Sequence, residues 1–133
     1  MGGTGPTGRE TAAPGRVGPA EAAALCASAD AVLLDVRERA EWDAGHAPHA
    51  VHLPLSALVS GAPLPPSARN RPVVVICRSG ARSRQAAGLL AARGADAVDV
   101  TGGMRAWVRA RLPVVDARGG AGGLPGGDGG FPA

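Results

Sequence analysis

Cys77 opens the segment Cys77-Arg78-Ser79-Gly80-Ala81-Arg82-Ser83, which joins a thiol to two guanidinium groups, two hydroxyls and a glycine. Cysteine reacts as the thiolate, and positive charge or backbone N–H groups converging on the sulfur favour that form. A tight loop in front of a helix can turn several N–H groups inward, making an anion-binding nest that the helix N-terminus reinforces. Gly80 supplies the conformational freedom for such a turn, and Arg78 and Arg82 flank the sulfur. The segment therefore predicts Cys77 as a nucleophile, with Arg78, Ser79, Gly80, Ala81, Arg82 and Ser83 binding an anionic substrate. Ser83 is placed to start the following helix as its cap. Arg82 is assigned to the anion in preference to bracing the loop through its carbonyls. A free cysteine can instead end a strand as a small buried hydrophobe, but Arg78, Gly80 and Arg82 beside it favour the nucleophile.

The elements around the segment suit this role. Val73-Val74-Val75-Ile76 is a short β-branched run of the kind found in parallel sheets covered on both faces. Residues 83–93 place Ala86, Leu89, Leu90 and Arg93 at helical spacing, with Gly94 as the stop. Cys77 thus falls at a strand-to-helix junction, the edge of an open α/β sheet where ligands bind. Upstream, a helix is expected over 20–26 behind Pro19, a strand over 31–36, a short polar helix from Arg37 to Ala44 and a strand over 51–53. Residues 61–72, with four prolines, read as a loop. Downstream, 97–100 is a strand and Gly102-Gly103 leads into a helix holding Trp107. This alternation predicts one α/β domain, a mostly parallel central sheet flanked by helices.

Of the 133 residues, 21 are glycine and 12 proline, about twice average usage. The excess lies at the two ends, which carry few large apolar residues and so cannot offset their ordering entropy. Residues 1–17 and 117–133 read as flexible tails and 18–116 as the domain. No apolar run approaches the ~18 residues of a membrane span, and the N-terminal residues lack the apolar stretch of a secretory signal. A cytoplasmic protein with no membrane partner is expected. Two cysteines, Cys26 and Cys77, are too few for a disulfide framework. The net charge is only +3, with no run of basic residues and few aromatics to stack bases, so nucleic acid is not an expected partner. The charge is unevenly spread: residues 44–95 carry six arginines and no carboxylate, a positive field around Cys77.

At these residues the sequence resembles the rhodanese family of single-domain sulfurtransferases. Cys77 to Ser83 is similar to that family's active-site loop. Leu34-Asp35-Val36-Arg37 with Glu41-Trp42 and Gly45-His46-Ala47-Pro48 is similar to its first motif, and Gly102-Gly103-Met104 with Ala106-Trp107 to its closing one. His49 departs from the pattern, standing where a glycine is common. The resemblance implies a rhodanese-like fold and a persulfide mechanism that needs no cofactor. In that mechanism Cys77 takes a sulfane sulfur from a donor such as thiosulfate and passes it to cyanide, a small thiol or a protein thiol. The alternative is a non-catalytic sulfur-relay or binding module serving a protein partner, and redox sensing through a Cys77 sulfenic acid is a third reading.

Related cysteine phosphatases space the cysteine and arginine as C-x5-R, one residue longer than Cys77 and Arg82 here, so a phosphate ester would be cramped above the sulfur. The acid-free stretch around Cys77 also offers no general acid for its leaving group. Asp35 and Arg37 read as scaffolding. His46, His49 and His52 recur at every third residue, but Pro48 breaks a regular helix and no metal is expected. Cys26 reads as packing, and Trp42 and Trp107 as the large core pieces.

Overall fold

A computed structural model describes residues 15–28 and 30–116. In chain order the elements are β1 (Arg16–Val17), α1 (Pro19–Ser28), β2 (Val32–Asp35), α2 (Arg39–Ala44), β3 (Val51–His52) and α3 (Leu55–Val59). A 3-10 turn (Pro66–Ala68), β4 (Val73–Ile76), α4 (Ala81–Ala92), β5 (Ala97–Val100) and α5 (Gly103–Arg109) complete it. The five strands form one sheet in the order β1-β5-β4-β2-β3, every neighbouring pair parallel. Composition assigns Arg16 and Val17 to a tail. They form the edge strand β1 instead, because the Gly/Pro bias of the first residues masks two that the sheet can pair. The rest of that expected tail, residues 1–14, and the whole of 117–133 lie outside the described residues.

All four residues of β2 and of β4 are buried, as a central parallel strand requires. The pleat sends Val74 and Ile76 to one side, against Ala22 of α1 and Met104 and Trp107 of α5. It sends Val73, Val75 and Cys77 to the other, against Leu58 of α3 and Ala86 and Leu90 of α4. Burying a valine or isoleucine side chain is worth roughly 1.5–3 kcal/mol, so β4 anchors both layers and fixes where Cys77 emerges. The sequence gives no signal for α3, whose five residues are too few to show a helical period. Of the two tryptophans only Trp107 is a core residue, 4% exposed. Trp42 sits on α2, which buries no residue, and stacks between His46 (ring centroids 3.5 Å apart) and His52 (4.9 Å). Those histidines are held in turn, His46 Nδ1 at 2.8 Å from the Trp42 carbonyl and His52 Nε2 at 2.7 Å from the Arg37 carbonyl. His49 adopts φ 65°, the left-handed conformation that makes glycine common at its position.

The N-terminus of α5 is pressed against the residues that leave β4. The Met104 N–H donates to the Cys77 carbonyl (2.7 Å) and the Arg105 N–H to the Arg78 carbonyl (3.0 Å). Gly103 has φ 57°, and a Cβ there would collide with the Cys77 and Arg78 carbonyls. Gly103→Ala should therefore destabilise the domain by about 3 kcal/mol and displace the Cys77 loop, read as a lower midpoint in urea unfolding together with faster proteolysis of the loop.

Candidate active site

Cys77 is the first residue past β4 and is 1% exposed. The chain then turns through Arg78 and Ser79 to Gly80, whose φ of 111° is left-handed, and α4 begins at once with Ala81. That conformation belongs to glycine, and it directs the Gly80 N–H at the sulfur, 3.1 Å from Sγ. A Cβ on Gly80 would also stand 3.0 Å from the Arg16 guanidinium and 3.2 Å from the Gly102 nitrogen. Because Gly80 turns the chain so sharply, the helix starts two residues before Ser83, and the expected capping role passes to Gly80. Ser83 lies inside the first turn, fully buried, with its Oγ 3.4 Å from Cys77 Sγ and 2.9 Å from Asp99 Oδ2.

Asp99 projects from β5 and is 1% exposed. Both of its oxygens accept from Arg16, at 2.9 Å from Nε and 2.9 Å from Nη2. The same Nη2 donates to the Gly80 carbonyl at 3.0 Å. Arg16 thus crosses from the edge strand to hold both the carboxylate beneath the site and the turn above it. Its hydrogen bond to Asp99 holds the guanidinium protonation firmer than usual, and the nearby Cys77 sulfur adds to that effect.

Arg82 spends both terminal nitrogens on Glu41 of α2, at 2.7 and 2.8 Å. The hydrogen bonds from Arg82 pull the Glu41 carboxyl down to about 2 from its usual 4.5. Reciprocally, Glu41 first and the Cys77 sulfur further down raise the Arg82 guanidinium. Glu41 Oε1 also accepts the Glu38 N–H at 3.0 Å, capping α2. Behind it the buried Arg37 guanidinium donates to both oxygens of Asp35, at 2.7 Å at the shortest, and to the Gly45 carbonyl at 2.6 Å, which is the scaffolding expected of that pair. Within the loop, Ser79 and Ala81 are exposed and Arg78 is half-buried. The Arg78 side chain makes no hydrogen bond or ion pair among the described residues.

All seven expected site residues thus lie on one strand-to-helix turn, but three further residues complete the site: Arg16, Glu41 and Asp99. The acid-free stretch in the sequence does not make an acid-free site, since Glu41 and Asp99 reach it from outside. Both carboxylates are engaged by arginine, so neither stands as a free acid over the sulfur. Asp99 did leave a trace in the sequence, being a lone carboxylate in the otherwise apolar strand Ala97-Val98-Asp99-Val100, where burial demands a partner. Arg16 left none.

Elsewhere a cavity of about 620 Å³ opens at the other end of the sheet, beside Pro72 and Asp96. Its arginines are committed, Arg69 to the Leu64 carbonyl, Arg71 to Asp30 and Arg93 to the Leu58 and Ala62 carbonyls. Cys26 is half-buried on α1, its thiol pushed up by burial. No group of three or more histidine, cysteine or carboxylate side chains among the described residues is placed to hold a metal. None of the described helices is long and apolar enough to cross a membrane.

Known proteins resemble this chain in sequence and in fold. A sulfurtransferase from Allochromatium vinosum is 38% identical over 97 residues, covering 71% of this chain and 88% of its own. A probable adenylyltransferase/sulfurtransferase from Mycobacterium tuberculosis is 37% identical over 82 residues, which are 61% of this chain and only 21% of that longer protein. Among solved structures, a rhodanese-related protein from Thermoplasma volcanium superposes with a TM-score of 0.66 at 29% identity, covering 76% of this chain and 97% of its own. A rhodanese homologue from Thermus thermophilus does so with a TM-score of 0.57 at 31% identity, covering 68% and 98%. The profile of the rhodanese-like domain matches residues 18–110. With that match over most of its length, an all-parallel sheet of the same fold, and a cysteine at the strand-to-helix turn, the chain belongs to the rhodanese-like domain family.

Proposed function

We propose that the protein is a thiosulfate sulfurtransferase that carries sulfane sulfur as a Cys77 persulfide. The observation that carries this reading is the Gly80 N–H aimed at Cys77 Sγ from 3.1 Å at the mouth of α4. A backbone donor and a helix N-terminus can steady an anionic sulfur without a metal or cofactor. The Cys77 thiolate attacks the outer sulfur of thiosulfate, the donor's S–S bond breaks, and sulfite departs with the electron pair. The persulfide sulfur is then attacked by cyanide or a thiol, and the Cys77–sulfur bond breaks to return the thiolate. The chain's likeness to a sulfurtransferase over 88% of that protein's length supports the reaction class. Docking on a protein thiol as a relay without turnover of free thiosulfate is the second reading, favoured by the likeness to one fifth of a longer adenylyltransferase/sulfurtransferase.

The two loop arginines divide the work. Arg78 meets the anionic donor, because its charge has no carboxylate partner among the described residues, while Arg82 ties α4 to α2 through Glu41. Ser79 and Ala81 form the exposed rim that the donor passes.

Thiosulfate should add one sulfur, 32 mass units by sulfur's atomic mass, to the peptide containing Cys77, and Cys77→Ser should abolish both that adduct and thiocyanate formation from cyanide. Turnover surviving in the serine variant sinks the proposal; stoichiometric capture of a protein partner with negligible turnover would favour the relay. Arg78→Ala should raise the KM for thiosulfate about tenfold, the loss of one charge-assisted hydrogen bond, and leave kcat within about a factor of two. Because the Glu41 carboxyl is depressed by folding, its contribution is complete above its ordinary 4.5 and is lost as the pH falls towards about 2. Glu41→Gln should cost about 1 kcal/mol at neutral pH and flatten the acid side of a plot of melting temperature against pH.

A further inference from the structure

Ser83 has one hydroxyl proton and three acceptors within reach. Asp99 Oδ2 lies at 2.9 Å, the Gly80 carbonyl at 3.3 Å and Cys77 Sγ at 3.4 Å. The nearest is also the only carboxylate, and a charged acceptor makes the stronger bond. Two nitrogens of Arg16 donate to that same carboxylate. With its proton committed to Asp99, the Ser83 oxygen turns a lone pair towards Cys77 and can accept from a thiol but cannot donate to a thiolate.

We propose that Asp99 is a positioning residue that sets the protonation of Cys77 through Ser83, holding the resting site towards the thiol. Ionising Cys77 then forfeits the S–H···Oγ bond, and the thiolate keeps the Gly80 N–H as its donor. The cations around the loop pull the opposite way: Arg16 from β1, which binds the Gly80 carbonyl, Arg82 from α4, whose charge Glu41 of α2 offsets, and Arg78 on the loop itself; Arg105 of α5 meets the loop through its backbone N–H, which donates to the Arg78 carbonyl. The site is balanced between these cations and the Asp99–Ser83 restraint. No proton need cross to Asp99, because the Sγ proton leaves to water and the Ser83 proton stays where it is.

This inference rests on Cys77 being the reactive thiol, but its test does not require sulfur transfer. The rate of Cys77 alkylation by iodoacetamide is followed against pH by peptide mass spectrometry, which separates Cys77 from Cys26, and thermal melts confirm folding. Ser83→Ala should move the midpoint about one pH unit lower, equivalent to about tenfold faster alkylation below the midpoint. A higher midpoint means that Ser83 donates to the thiolate, and it overturns the proposal, as does no change. Asp99→Asn should also lower the midpoint, since an amide can donate to Ser83 and release its proton towards the sulfur. In the Ser83→Ala background at least half of the Asp99→Asn shift should vanish. A shift that persists in full reflects charge alone and overturns the relay through Ser83. If Asp99→Asn fails to fold, the sign of the Ser83→Ala shift decides by itself. Absence of a persulfide with these shifts intact would sink the sulfurtransferase reading and leave this one standing.

Discussion

A loop that turns an N–H group onto one sulfur must turn carbonyls away from it, and buried or half-buried carbonyls need donors. Here most of the donors come from the two ends of the described chain. The Cys77 and Arg78 carbonyls are met by the first N–H groups of α5, and the Gly80 carbonyl is met by Arg16 of β1 and by the Arg84 N–H of α4 at 3.4 Å. The glycines follow from the same accounting. Gly80 makes the turn, and Gly103 lets a second backbone come close enough to bond it. The positions of β1 and α5 are therefore consequences of what the seven-residue loop leaves unsatisfied.

Charge is distributed by the same logic. Each cation that braces the loop is neutralised by a carboxylate from another element, Arg16 by Asp99 and Arg82 by Glu41. A buried charge without a partner is costly, so pairing lets guanidinium groups approach the sulfur without straining the fold. Arg78 is the exception, and its half-exposed position lets water carry that cost.

Local chemistry was legible in the sequence, and distant pairing was not. The Cys77–Ser83 turn, the buried β4 and the glycine that shapes the loop could be read because their causes lie within a few residues of one another. The parallel α/β architecture followed from the alternation of short apolar runs with helical spacing. Arg16 and Asp99 are 83 residues apart, and Glu41 and Arg82 are 41 apart, so no periodicity links them. Ser83 reads as a cap from the sequence, but the left-handed Gly80 starts the helix two residues earlier. Trp42 reads as a core piece, but it stacks between two histidines outside the core, a contact that leaves no pattern along the chain.

The 83-residue separation of Arg16 and Asp99 also has a kinetic meaning. Parallel strands and long-range contacts form late, since loop-closure entropy must be overcome before they contribute. The Cys77 turn lies between the two elements that complete it, so it cannot be finished until both have docked. A nascent or partly folded chain carries Cys77 without the hydrogen bonds that surround it in the finished domain. The surroundings of the sulfur thus arrive as the last product of folding, so the site exists only in a chain whose sheet is already complete.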